Sequence, residues 1–148
     1  MAGPALVRDI MKTPLIALHP IHSVREAAKI MMEKNIGSII VIDERGTLLG
    51  IVTKTDIVRL VAKGGDAERT TIGEIMTKNP IYVFADTSLE EAARIMGYYG
   101  IGHLPVLNEK NNKPIGMISK RDILLFAPHY INLVYTLKKE MEASESKS

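Results

Sequence analysis

The chain has 148 residues, a net charge of +2, 46% hydrophobic and 24% charged residues, and no cysteine. This composition excludes disulfides, thiolate catalysis and Cys-bound zinc, and it argues for a packed core over a disordered chain. No run approaches the roughly 20 apolar residues of a membrane span, and the charge is even, with ten basic and eight acidic groups in residues 1–70 and nine of each in 71–148.

At the N-terminus, Met1 to Asp9 lacks a basic stretch followed by an apolar core, so no signal peptide is read. A short helical turn is expected around Ile10 and Met11, and Pro14 opens an extended stretch from Leu15 to Leu18. Ser23 and Glu26 form a Ser-x-x-Glu capping box. The helix it starts carries Val24, Ala27, Ala28 and Met31 on one apolar face. Ser38 to Ile42 is a β-branched run suited to a buried strand. Asp43 to Gly46 is a turn, Thr47 to Val52 a second strand, and Lys54 to Lys63 a helix capped by Thr53. Gly64-Gly65-Asp66 marks a linker.

The pattern then repeats. Asp9-Ile10-Met11 recurs as Glu74-Ile75-Met76, 65 positions on. Ser23 to Met31 recurs as Ser88 to Met96, with six of nine residues identical. Gly50 to Ile57 recurs as Gly116 to Ile123, 66 positions on, the slip falling in a turn. Gly97 and Gly100 are read as ending the second repeat's long helix. Pro128 opens a last helix carrying Ile131, Val134, Leu137 and Met141. Each repeat is β-α-β-β-α, about 60 residues, too small to bury a comfortable core alone. The expectation is an α/β (α+β) fold of two βαββα repeats packed sheet to sheet with pseudo-twofold symmetry. Its boundaries are 5–63 and 72–127 for the repeats, 64–71 for the linker, 128–143 for the last helix and 144–148 for a polar tail.

Two ordered copies of Asp/Glu-Ile-Met…Thr/Asn-Pro, Ser-x-x-Glu-Ala-Ala-x-x-Met and Gly-x-x-Thr/Ser-x-x-Asp resemble a tandem pair of CBS domains, a Bateman module of the stand-alone type. That resemblance implies a non-catalytic regulatory module with no catalytic cofactor. It would bind an adenosine-type ligand (AMP, ADP, ATP or S-adenosylmethionine) in clefts between the repeats and signal to a regulated protein partner. It implies that site one takes Thr13, Ile16, Leu18, Gly37, Ser38, Met117, Ser119, Arg121 and Asp122. Site two takes Asn79, Tyr82, Phe84, Gly102, His103, Ile51, Thr53, Thr55 and Asp56. The carboxylates would accept ribose hydroxyls and apolar side chains would sandwich adenine. Without a ligand, Thr53/Asp56 and Ser119/Asp122 read equally well as capping boxes.

Arg121 stands where the first repeat has Thr55, which favours phosphate at site one. His19 and His22 lack a third ligand, so no metal site is read. No Ser-His-Asp order or carboxylate pair supports catalysis. A dehydrogenase carrying such a pair would also need a barrel of about 250 residues. The helices after Thr53 and Ser119 carry Ile57, Leu60, Val61, Ile123, Leu124 and Phe126, more apolar surface than one core buries, and predict a homodimer. A cytoplasmic location is expected from the missing cysteines. The alternative function is a nucleic-acid-associated regulator or transcription-linked protein, suggested by slight basicity and Lys138-Lys139.

Overall fold

The computed structural model describes residues 5–135. They form a mixed α+β chain with two small sheets. In order the elements are α1 (Val7–Ile10), β1 (Ala17–Leu18), α2 (Val24–Lys34), β2 (Ser38–Ile42), β3 (Leu48–Thr53), α3 (Lys54–Ala62), α4 (Ile72–Ile75) and β4 (Thr77–Lys78). Then come β5 (Val83–Phe84), α5 (Leu89–Tyr99), β6 (His103–Leu107), β7 (Pro114–Ser119), α6 (Lys120–Phe126), a 3-10 turn (Pro128–Tyr130) and α7 (Ile131–Tyr135). Leu137, Met141 and the Lys138-Lys139 pair lie outside the described residues.

The chain divides into two compact units. One holds Leu15–Ile81 with Asn112–Pro114 and is called the Asp56 unit; the other holds the remaining described residues and is called the Asp122 unit.

In the Asp56 unit the sheet order is β1-β2-β3-β4. β1 pairs parallel to β2, with Ala17 opposite Ile40. A parallel neighbour needs a crossover, and α2 supplies it. β2 and β3 form an antiparallel hairpin with Ser38 opposite Thr53 and Ile40 opposite Ile51. Its turn is closed by Asp43, whose Oδ1 accepts from the amides of Arg45 at 2.8 Å and Thr47 at 2.9 Å. Val24, Ala27 and Met31 from α2 pack with Ile39, Val41, Val52 and Ile72. Burying such a side chain contributes about 1.5–3 kcal/mol, so this cluster holds the sheet to the helix.

In the Asp122 unit the sheet order is β5-β6-β7, with β5 parallel to β6. Leu89, Ala92, Ala93 and Met96 of α5 are buried, as are Leu104, Val106, Ile118 and Ile123. Both long helices start as expected: Ser23 Oγ accepts from the Glu26 amide and Ser88 Oγ from the Glu91 amide, each at 3.1 Å. They end on left-handed residues, Asn35 (φ 53°) and Gly100 (φ 68°). Gly97 departs from its expected role: it is buried inside α5, because a residue without a side chain can face the packed side of the helix.

The short leading segment of each repeat joins the unit built mainly from the other repeat. Thr71 bridges Ser23 in the Asp56 unit, and Leu6 bridges Ser88 in the Asp122 unit. Likewise Thr77 pairs with Ile51 on β3, and Lys12 bridges Met117 on β7. Two repeated glycines make this possible. A Cβ on Gly50 would sit 2.7 Å from the Thr77 carbonyl oxygen, and one on Gly116 would sit 2.7 Å from that of Lys12. The glycine of each Gly-x-x-Thr/Ser-x-x-Asp motif therefore admits the leading segment against the strand.

Candidate functional site

Each motif turns from a strand into a helix, and the turn fixes a carboxylate. In the Asp56 unit, Thr53 caps α3 and Asp56 stands at its third position. Asp56 Oδ2 accepts from the Thr53 amide at 2.8 Å and from the Thr53 hydroxyl at 3.1 Å. Its Oδ1 accepts from Arg59 Nη1 at 3.3 Å. In the Asp122 unit, Asp122 Oδ2 accepts from the Ser119 amide at 2.9 Å and Ser119 Oγ accepts from the Asp122 amide at 3.1 Å. Asp122 Oδ1 lies 3.8 Å from Lys12 Nζ. Both Asp side chains are about nine-tenths buried, at 10% and 11% exposure. A carboxylate offers about four lone-pair sites. The Thr53 bonds and Arg59 take three of these sites on Asp56 and leave about one, whereas the Ser119 amide takes one on Asp122 and leaves the rest for further donors.

The predicted residues fall as follows. With Asp56 the Asp56 unit holds Ile51, Thr53, Thr55 and Asn79 from site two. Ile51 is buried and Thr55 exposed. Asn79 takes a left-handed φ of 49° and donates its amide to the Leu49 carbonyl at 3.1 Å. The same unit holds Ile16, Leu18, Gly37 and Ser38 from site one. Gly37 and Ser38 stand beside Thr53 and Lys54: the Lys54 amide donates to the Gly37 carbonyl at 3.1 Å, and Ser38 pairs with Thr53.

With Asp122 the Asp122 unit holds Thr13, Met117, Ser119 and Arg121 from site one. Thr13 Cγ2 lies 3.4 Å from where a Gly116 Cβ would be, next to Met117. Arg121 is exposed. Tyr82, Phe84, Gly102 and His103 from site two are in this unit. Tyr82 and Phe84 meet edge to face at 5.6 Å, and the Gly102 carbonyl accepts from the Lys120 amide at 2.8 Å.

Two cations were missed by sequence reasoning, Lys12 and Arg59. Arg59 was accessible as an i, i+3 partner of Asp56 on one helix face. Lys12 was not, because its partner is far along the chain. His19 Nδ1 bonds the Ile42 carbonyl at 3.0 Å and His22 Nδ1 contacts the His19 backbone, so both rings are engaged locally. Among the described residues, no group of three or more His, Asp or Glu is placed to hold a metal ion. No helix among them is long and apolar enough to cross a membrane.

The CBS-domain family model matches residues 7–63 and again 72–129. The chain belongs to the CBS-domain family. It is 36% identical over 118 residues to the L-aspartate semialdehyde sulfurtransferase of Methanocaldococcus jannaschii, covering 80% of this chain but 22% of that protein. The CBS domain-containing protein YhcV of Bacillus subtilis is 32% identical, with 79% of this chain and 81% of that protein covered. Among solved structures, the CBS domain pair of protein MJ0100 in complex with 5′-methylthioadenosine and S-adenosyl-L-methionine matches at a TM-score of 0.77 and 35% identity, covering 86% and 99%. The CBS domain protein PAE2072 from Pyrobaculum aerophilum, complexed with AMP, matches at 0.77 and 25% identity, covering 87% and 97%. The chain spans about a fifth of the sulfurtransferase's length.

Proposed function

We propose that the chain is a regulatory module that binds adenosine-type nucleotides and passes their occupancy to a protein partner. The observation that carries this reading is the pair of fixed carboxylates, Asp56 and Asp122, each buried at a strand-to-helix turn with acceptor capacity to spare. Asp56 would take two ribose hydroxyls, the second by exchanging the Arg59 bond on Oδ1, and Asp122 would take two directly. Asn79 with Thr53 and Thr55 serves the first, and Thr13 with Ser119 and Arg121 serves the second. The remaining predicted residues, Ile16, Leu18, Gly37 and Ser38 and likewise Tyr82, Phe84, Gly102 and His103, belong to the same proposal. The AMP, methylthioadenosine and S-adenosylmethionine complexes of related pairs support this choice of ligand class.

Assembly is part of the proposal. Val58 (65%), Val61 (63%), Leu125 (72%) and Phe126 (57%) remain exposed on α3 and α6. Covering them by a second copy would remove apolar surface from water at about 25 cal/mol per Å². Action in the cytoplasm fits the cysteine-free sequence.

A thermal-shift panel of AMP, ADP, ATP, S-adenosylmethionine and GMP tests the ligand class. Adenosyl compounds should raise the melting temperature at concentrations above their dissociation constants. Equal shifts with GMP, or none with any adenosyl compound, would contradict it.

A further inference from the structure

The two carboxylates differ in the cation each faces. Asp56 is paired with Arg59, one turn along its own helix, at 3.3 Å. In the second repeat the position of Arg59 is Leu125. Asp122 instead faces Lys12 at 3.8 Å, brought by the leading segment that bridges β7. In the second repeat the position of Lys12 is Thr77, which is neutral. Lys12 is half exposed, at 50%, and its backbone alone makes the bridge to Met117. At 3.8 Å and open to solvent on the lysine side, the pair is a loose one, and Lys12 is not held to Asp122 by a hydrogen bond. Its charge is thus available to whatever approaches Asp122.

We infer that Lys12 is a specificity-determining residue that commits the Asp122 set to anionic nucleotides of the AMP class over neutral or cationic adenosyl thioethers and sulfonium compounds. The inference rests on the reading of Asp122 as a ribose acceptor. The ligands share adenosine and differ in charge at the 5′ carbon. A 5′-phosphate carries up to about two negative charges at neutral pH. Methylthioadenosine is neutral there. S-adenosylmethionine has a sulfonium and an ammonium against one carboxylate, a net positive charge. Asp122 bonds the ribose in all three, so it does not discriminate among them. An ammonium beside the ribose does, because its four-carbon stem lets it swing from Asp122 Oδ1 toward a phosphate and its charge opposes a sulfonium. This role differs from that of Arg121, which lies on α6 itself, while Lys12 comes from the leading segment.

The test is calorimetry with AMP, 5′-methylthioadenosine and S-adenosylmethionine in an Asp56→Asn background, so that the Asp122 set is read alone. Lys12→Met keeps the stem and removes the charge. It should weaken AMP about threefold to tenfold. Methylthioadenosine should change by less than about twofold, and S-adenosylmethionine should bind as well or a few-fold tighter. Lys12→Arg should restore the AMP preference. An equal loss for all three ligands, or no change for any, would overturn the inference and leave the nucleotide reading standing. Failure of all three to bind the parent protein would overturn the nucleotide reading, and the inference with it.

Discussion

Replacing Gly116 with alanine tests whether the leading segment lies against β7 as described. The added Cβ would meet the Lys12 carbonyl oxygen at 2.7 Å, Met11 Sδ at 3.3 Å and Thr13 Cγ2 at 3.4 Å. The first of these is backbone and cannot rotate away. Overpacking of this kind costs about 1–3 kcal/mol. Relieving it by displacing the segment would strain two backbone hydrogen bonds, Lys12 to Met117 at 2.8 Å and Met117 to Lys12 at 3.3 Å, each contributing about 0.5–1.5 kcal/mol. Alanine recovers roughly 0.4–1 kcal/mol by restricting the unfolded chain. The net expectation is a loss of about 1–3 kcal/mol, or roughly 2–12 °C in melting temperature for a chain this size. Gly102→Ala is the control, since its Cβ would find Lys120 carbons at 3.7 and 3.8 Å, ordinary contact distances. Urea denaturation followed by circular dichroism reads both. A Gly116→Ala protein as stable as the Gly102→Ala protein would refute the close approach.

Gly100→Ala should cost about 1–2 kcal/mol, because its φ of 68° is unfavourable for a side chain, whereas Asn35→Gly at φ 53° should be nearly neutral; thermal melts compare them. The Thr47 amide, then the Arg45 amide and the charges of Arg45 and Lys113, hold the Asp43 carboxyl below its ordinary pKa. A depressed pKa stabilises the fold above the unfolded value and is lost as pH falls through the folded one. Asp43→Asn should therefore flatten the acid limb of the stability curve below about pH 4, as measured by melts across pH. Val61→Glu with Phe126→Glu should convert a homodimer into a monomer in light scattering while circular dichroism stays unchanged. A native protein that is already monomeric at high concentration would contradict the assembly.

Features set by neighbouring residues were the most legible in the sequence. The capping serines Ser23 and Ser88, the apolar faces of α2 and α5 and the Asp43 turn depend on residues no more than seven positions apart. The repeat exposed the fold class because it doubled each weak motif in the same order. The docking of the leading segments was hidden, since Lys12 meets Met117 more than a hundred residues away and nothing local marks the pairing. The same distance concealed the cation facing Asp122. The glycines that permit the docking were visible only as motif letters. Gly97 misled because an interior helix glycine and a terminal one look alike until packing is known. The carboxylates stand out in the sequence, but the capping box explains them as fully as a ligand does, so spacing alone leaves both readings open.

The central claim is that Asp56 and Asp122 hold adenosine ribose, and calorimetry of AMP against the Asp56→Asn, Asp122→Asn double variant tests it most directly. Asparagine keeps an oxygen for the Thr53 and Ser119 amides, so the helix starts should survive and melts should confirm a folded protein. Losing charged hydrogen bonds of about 1.5–3 kcal/mol at each site should weaken AMP roughly tenfold to a hundredfold. Unchanged AMP affinity in the folded double variant would leave both aspartates as helix caps and contradict the account.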